Sequence, residues 1–284
     1  VALDADTGEL KWHFQYTPGD YMDYDEVGIQ LLMDTEINGE DRKVLAHFGR
    51  NGIFYTLDRA SGAYINSTTY VSNLNWTEGI DPKTGLPLEY DPEASLQTYA
   101  IGAIDRAGAT ATTCPNIQGG TNFFPTAYNP ELGIAYAVGI EGCSDLSVRE
   151  VDVADVRVGE IFIGGAGVHS GPMTGAINAV DLATSEIAAT RASTYPLYSG
   201  VLATPDLIWT THLDGTVGAY DAVTLEEKWS MNVGTAFQAP PITFTASGKQ
   251  YVAVLGGGIG IAGFGYEELQ NIQPANMLWV FGLD

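Results

Sequence analysis

Seven positions near the start of the chain concentrate its acid. The segment Thr17-Pro-Gly-Asp-Tyr-Met-Asp-Tyr-Asp-Glu-Val-Gly28 carries Asp20, Asp23, Asp25 and Glu26. If the segment is extended, Asp23 and Asp25 share one face, because side chains alternate. Two carboxylates brought that close repel each other unless a hard cation or a shared proton intervenes. A solvated acidic turn is the alternative that spacing alone leaves open. Arg50, in Phe48-Gly-Arg-Asn-Gly52, stands at a turn entering an apolar run. It offers a permanent charge and a planar donor fork for oxygen acceptors, against the plainer reading of a surface Arg in a β-turn.

Other candidate groups are less suggestive. His13, His47, His169 and His212 are scattered without metal-ligand spacing and read as packed or surface residues. Gly258-Ile-Gly-Ile-Ala-Gly263 matches the GxGxxG pattern, but Phe-Gly-Tyr follows it and no βαβ unit surrounds it. A dinucleotide site needs a helix N-terminus there for the pyrophosphate, so the motif is rejected. The cysteines are Cys114 and Cys143, with no CxxC or CxxCH, which excludes a zinc ribbon, a thioredoxin site and a covalent haem from this segment. They bracket a strand pair whose turn is Asn129-Pro-Glu-Leu-Gly133. Hairpin geometry brings such residues within bridging reach, and a bridge implies an oxidising compartment; two independent buried thiols are the alternative.

These residues must be positioned by a well-packed chain. Its 284 residues are 45% hydrophobic and 17% charged, which excludes wholesale disorder and allows a substantial core. The net charge of −23 repels phosphate backbones and anionic lipid, so no nucleic-acid or membrane-surface partner is expected. The uncharged glycine-rich stretch ending near Tyr266 is too short and too rich in glycine to span a bilayer. The chain starts at Val1 inside one copy of a repeat, without an initiator Met, and is expected to be the C-terminal part of a longer precursor.

That repeat defines the fold. Asp followed three residues later by Thr or Ser recurs at Asp4/Thr7, Asp58/Ser61, Asp181/Thr184 and Asp221/Thr224. The short polar side chains bond local backbone and a following Gly accepts positive φ, which is turn chemistry. Alternating β-branched or aromatic runs lie between the turns: Lys43–Phe48, Gly52–Leu57, Gly133–Val138, Gly159–Ile163, Leu207–Thr211 and Gln250–Leu255. They predict strands of antiparallel sheets. The fold class is therefore all-β, a propeller with about six blades' worth of sequence and no obvious linker, read as one domain over residues 1–284. Tyr90–Thr113 and Ser144–Val158 are too long for blade turns and are expected to be functional or capping insertions.

The combination resembles the PQQ-dependent (quinoprotein) alcohol dehydrogenases, the methanol and ethanol dehydrogenase group. The resemblance rests on Ala2-Leu-Asp-Ala-Asp-Thr-Gly-Glu-Leu-Lys-Trp12, the acidic segment to Asp25, Arg50-Asn-Gly-Ile-Phe-Tyr-Thr-Leu-Asp58 and Asn75-Trp-Thr-Glu-Gly-Ile-Asp-Pro-Lys-Thr-Gly85. It continues through Cys114-Pro, Gly119-Gly-Thr-Asn122, Leu213-Asp-Gly-Thr-Val-Gly-Ala-Tyr-Asp221 and Pro240-Pro-Ile-Thr-Phe244 to Val254, in order along essentially the whole chain.

The resemblance implies an eight-bladed propeller roughly twice this length, with PQQ on its axis and this chain supplying the later blades. It implies oxidation of an alcohol to an aldehyde. Asp23 falls at the catalytic base and Arg50 where an Arg contacts the quinone oxygens. Asp25 falls where lanthanide-dependent relatives carry an extra metal-binding Asp, so Asp23 and Asp25 are the metal candidates, for a lanthanide or calcium ion. Glu141 stands where the family commonly uses Asn against the cofactor. Tyr198 stands near a frequent Trp, and Gly256–Gly260 lacks another. Further implications are a soluble cytochrome c as electron acceptor, a periplasmic location and a homodimer as an open option. A non-catalytic propeller scaffold resembling outer-membrane assembly lipoproteins is the alternative; a sugar or polyol dehydrogenase of the same cofactor class is a third.

Overall fold

The computed structural model describes residues 1–37, 39–258 and 265–282. Within them the chain forms strands β1 to β20 and two short 3-10 turns, Val153–Asp155 and Glu268–Asn271. No helix among the described residues is long and apolar enough to cross a membrane.

A two-stranded pair, β1 (Ala2–Leu3) and β2 (Leu10–Trp12), precedes the larger sheets. Strands β3 (Leu31–Ile37), β4 (Glu40–Phe48), β5 (Ile53–Asp58) and β6 (Tyr64–Thr69) form an antiparallel meander. The next four-stranded sheet joins β8 (Ala127–Asn129), β9 (Ile134–Glu141), β12 (Thr174–Asp181) and β13 (Ile187–Ser193). A second uninterrupted meander runs through β14 (Leu202–Ala203), β15 (Leu207–Thr211), β16 (Thr216–Asp221) and β17 (Glu227–Asn232). A three-stranded sheet of β18 (Ile242–Ala246), β19 (Lys249–Gly256) and β20 (Met277–Gly282) follows.

Successive sheets pack face to face in chain order, as propeller blades do. Val44, Ala46 and Phe54 of the first meander share a core with Ala135, Ala137 and Val180. Tyr136, Val138 and Ile177 share the next with Ile208 and Tyr220, and Val217 meets Phe237 and Val254 in the last. The inner strands are buried almost throughout, which is why they read as apolar runs.

The repeated turns share one construction. In each of the four copies the Asp Oδ1 accepts from the backbone N–H and the hydroxyl of the residue three positions on, at 2.8–3.1 Å. The expected following Gly holds at Gly8 and Gly62, but Ser185 and Leu225 take the same left-handed slot, with φ of 56° and 57°. Two bonds to one carboxylate oxygen, closed by the strand pair, offset the cost of about 1–2 kcal/mol for a non-Gly residue there. Asp81 makes a fifth such turn with the Thr84 N–H.

Two strand expectations need correction. Gly159–Ile163 is irregular, and the strand lies just after it, as β11 (Gly165–His169). The long segments at Tyr90–Thr113 and Ser144–Val158 are not purely loops either. The first ends in β7 (Thr110–Thr113), the second begins with β10 (Ser144–Val148), and the two pair with β11 into a separate three-stranded sheet. Its β10–β11 hairpin is an excursion between β9 and β12. The GxGxxG motif after its first residue, Gly258, and the end of the Gly256–Gly260 stretch lie outside the described residues.

Cys114 and Cys143 are joined as a disulfide, with Cα atoms 4.4 Å apart and a sequence separation of 29. It ties the residue after β7 to the residue before β10. A loop of that length implies about 3–4 kcal/mol of stabilisation in the chain-entropy account. The Cys114→Ser/Cys143→Ser variant is expected to lose roughly that amount in denaturant unfolding, and an unchanged midpoint would contradict it.

Candidate functional site

The acidic bend is held by its own alternation. Met22 and Tyr24 are each only 1% exposed and pack with Tyr16, Leu45, Tyr55, Trp76, Tyr99 and Leu146. The intervening Asp23 and Asp25 side chains are 59% and 66% exposed. The backbone is not the extended run considered from spacing: Asp23 has φ of 68°. The two carboxylates still share a side, because Asp20 folds the bend by accepting from the N–H groups of Met22 and Tyr24 at 2.8 and 2.5 Å. Burial pushes the Asp20 carboxyl up to about 6, against the opposing pull of those two bonds.

Arg50 faces both carboxylates. The β4–β5 turn buries it to 7% exposure, so it is not the surface Arg of the plainer reading. Its Nη1 donates to Asp25 Oδ1 at 3.0 Å, and its Nη2 lies 3.3 Å from Asp23 Oδ2 and donates to the Ile117 carbonyl at 2.8 Å. Its Nε is buried with no partner among the described residues. Arg50 is the donor recorded for these two carboxylates among the described residues, and the two side chains lie within hydrogen-bonding reach of each other. Desolvation, with Asp25 adding to it, raises the Asp23 carboxyl above its ordinary range, while Arg50 opposes the rise.

The fourth acid has a different task. Glu26 Oε2 accepts from the Arg50 N–H at 3.0 Å and lies 2.7 Å from His47 Nε2, a ring that is wholly buried. His47 Nδ1 is in turn 2.9 Å from Gln30 Nε2 and 3.1 Å from the Ile29 carbonyl. Of the four acids, Asp20 and Glu26 therefore build the bend and seat the turn, Glu26 Oε1 being buried without a partner among the described residues, and Asp23 and Asp25 face the guanidinium with their side chains exposed. Composition and spacing do not separate these roles; only the partners do.

The loop after Cys114 completes the frame. Tyr24 Oη donates to the Pro115 carbonyl and lies 2.8 Å from Thr113 Oγ1. The Arg50 carbonyl accepts from the Gly120 N–H, and the Gly120 carbonyl accepts from the Ile140 N–H, both at 2.8 Å. Gly119 has φ of 87°, and a Cβ there would stand 2.8 Å from the Arg50 carbonyl oxygen, so a larger residue would displace the turn that carries the guanidinium. Ser144, beside the disulfide, accepts the Ile117 N–H. The expected cofactor contacts lie around this same loop. Tyr198 Oη donates to Gln118 Oε1 at 2.7 Å, and burial pushes its phenol up to about 12. Glu141 follows Ile140 on β9 and accepts from the Ser72 N–H and hydroxyl, at 3.0 and 2.5 Å. Sequence reading missed Glu26 with His47, and the loop from Pro115 to Gly120 as a frame; the Gly119-Gly120 pair was the available signal.

Comparison with known proteins follows the same lines. Residues 1–71 match the family model described as the glucose/ethanol/alcohol dehydrogenase β-propeller domain of the PQQ proteins. The chain is 32% identical to the quinoprotein alcohol dehydrogenase PedE of Pseudomonas putida, over 99% of this chain and 45% of that protein. It is 31% identical to PedH of the same organism, over 100% of this chain and 48% of that one. Among solved structures, a europium-containing methanol dehydrogenase superposes with a TM-score of 0.80 at 28% identity, over 96% of this chain and 46% of that chain. The quinohemoprotein alcohol dehydrogenase of Comamonas testosteroni gives 0.77 at 29%, over 90% and 38%. The chain spans less than half the length of the curated relatives it matches, and along nearly its whole length it is similar to quinoprotein alcohol dehydrogenases.

Two outcomes follow from the local geometry. Glu26→Ala strips a shared acceptor from the Arg50 N–H and from a buried imidazole, and is expected to cost about 2–4 kcal/mol in denaturant unfolding, with Glu26→Gln costing less because one acceptor oxygen remains. Asp20 holds its proton in the folded state between about 4 and 6, where the unfolded chain has lost it. Stability from this group is thus present at low pH and is lost as pH rises through that window. Relative to the parent, Asp20→Asn should gain up to about 3 kcal/mol from pH 4 to pH 7 in chelator, and a pH-independent difference would refute the assignment.

Proposed function

We propose that the chain forms the later blades of a periplasmic PQQ-dependent alcohol dehydrogenase that oxidises a primary alcohol to an aldehyde and passes the electrons to a cytochrome c. The observation that carries this reading is the buried Arg50 guanidinium, clasped by two exposed carboxylates, Asp23 and Asp25, while its Nε is without a partner among the described residues.

That arrangement fits the cofactor set. The exposed carboxylates of Asp23 and Asp25 are hard anionic donors, the type that calcium or a lanthanide ion takes, and two of them suit a trivalent ion better than one. A buried N–H without an acceptor suits an oxygen of the quinone. Asp23 and Asp25 would hold the ion, and Arg50 would bond the quinone. When bound, PQQ with its ion supplies the two-electron acceptor that these side chains lack.

The protein's own contribution is acid–base and electrostatic. The Asp23 carboxylate would take the hydroxyl proton of the alcohol, and its raised basicity favours the transfer. Arg50 keeps a fixed positive charge where negative charge develops, and its burial strengthens that effect. Glu26 and the Gly119–Gly120 turn hold the guanidinium in place. The disulfide supports an oxidising compartment. The charge of −23 would steer a basic cytochrome. A non-catalytic scaffold offers no reason for a buried Arg with an orphaned donor beside two exposed acids.

The test is dye-linked alcohol oxidation by the full-length protein reconstituted with PQQ and either calcium or a light lanthanide. Activity should prefer the lanthanide, Asp25→Ala should abolish that preference, and Asp23→Asn should lower kcat by about 10²–10⁴. Absence of alcohol oxidation with both ions would overturn the reading. Equal activity with either ion, before and after the Asp25 change, would overturn the metal assignment.

A further inference from the structure

Tyr198 is joined to the Arg50 frame by a chain of polar side chains that the acid–base chemistry leaves unused. Its hydroxyl donates to Gln118 Oε1 at 2.7 Å. Gln118 Nε2 lies 3.4 Å from His169 Nε2, and His169 Nδ1 lies 3.5 Å from Ser144 Oγ. Ser144 Oγ accepts from the Ile117 N–H at 3.1 Å, and the Ile117 carbonyl accepts from Arg50. The chain thus crosses the segment between β13 and β14, the loop after β7 and the β10–β11 hairpin.

Its direction is fixed from one end. Tyr198 is 8% exposed, and burial pushes its phenol up to about 12, so it keeps its proton and donates. Gln118 must then turn its oxygen to Tyr198 and its amide N–H to His169. An N–H aimed at Nε2 needs a lone pair there, which puts the imidazole proton on Nδ1, facing the wholly buried Ser144. A second proton on His169 reverses the fit. Nε2–H would oppose the Gln118 N–H, and turning the amide over would set its N–H groups against the Tyr198 hydroxyl.

Neighbouring titratable groups do not offset this. Asp145, the next residue on β10 after Ser144, projects to the other face and accepts from Thr112 at 2.6 Å. Tyr266, beyond Tyr198, is a phenol held above its ordinary range and stays uncharged. Burial alone holds the His169 imidazole below its ordinary value.

We infer that His169 is a positioning residue: neutral, with its proton on Nδ1, it latches Gln118 and Tyr198 to the loop that accepts Arg50, and a proton on Nε2 releases them. The latch stands on geometry; its effect on turnover rests on the enzyme reading above. Because the released imidazole takes its proton more readily than the latched one, the latch is fully closed above about pH 6.5. It is lost as pH falls below that value toward the latched-state pKa.

Hydrogen exchange of residues 114–122 in the cofactor-free full-length protein, corrected for intrinsic rate, reads the latch apart from catalysis. Protection should fall about fivefold between pH 7.5 and pH 5, the weight of about one net hydrogen bond. His169→Gln puts an acceptor that does not titrate where Nε2 stands, and should keep the higher protection at both pH values. His169→Lys presents only donors and should show the lower protection at both. The position is exposed, so neither change threatens folding. Nitrogen-15 shifts of labelled histidine should place the proton on Nδ1, and Tyr198→Phe should remove that preference. In the full-length protein loaded with PQQ and ion, kcat/KM of the parent should lose about fivefold more than that of His169→Gln between pH 7.5 and pH 5. Exchange that runs parallel in the parent and both variants, or a proton found on Nε2, overturns the latch. Exchange that follows the latch while the two kcat/KM profiles coincide overturns its role in positioning for turnover. Absence of alcohol oxidation at every pH overturns the enzyme reading instead and leaves the exchange result to judge the latch.

Discussion

A guanidinium taken out of water must be compensated, and that requirement organises the surroundings of Arg50. Full burial of an uncompensated cation costs several kcal/mol even after relaxation. The chain meets the cost with carboxylates on one side and the Ile117 carbonyl on the other. It then fixes the turn itself through Glu26, Gly119 and Gly120. The compensation is incomplete: among the described residues Arg50 Nε and Glu26 Oε1 are buried without partners. The same burial and the same neighbour that raise Asp23 also keep Arg50 from neutralising it fully.

Stability and chemistry are divided between different parts of the chain. Four-stranded sheets with buried inner strands carry the core, and repeated Asp-centred turns close their strands. The candidate site groups sit off those sheets, on the bend before β3, on the β4–β5 turn and on the loop after β7. Tyr24, the Cys114–Cys143 bridge and the Ser144 hydroxyl connect these three pieces across more than a hundred positions of sequence. Rigid blades with chemistry on the connecting segments is the usual solution, because loops can expose polar groups that strands must pair.

Much of this was legible before any coordinates. The Asp-x-x-Thr spacing and the alternating runs predict a propeller because both are local physics: turn bonds within three residues and side chains with period two. The acidic bend and Arg50 were visible as unusual residue types at turns. What could not be read was which acids are structural. Asp20 and Glu26 differ from Asp23 and Asp25 only in which distant N–H or ring they meet, and nothing local encodes that. The misplaced strand at Gly159–Ile163 has a similar cause. Its β-branched run is a good intrinsic former, but the partner register of β10 selects the glycine-rich stretch after it. Ser185 and Leu225 show the converse, where closure of the turn overrides local preference for Gly.

The sheet of β7, β10 and β11 is paired with itself and not with any blade. Its strands nevertheless touch the Arg50 frame through Thr113, Ser144 and the Cys114–Cys143 bridge, so a change in this hairpin is transmitted to the guanidinium while the register of the inner strands stays as it is.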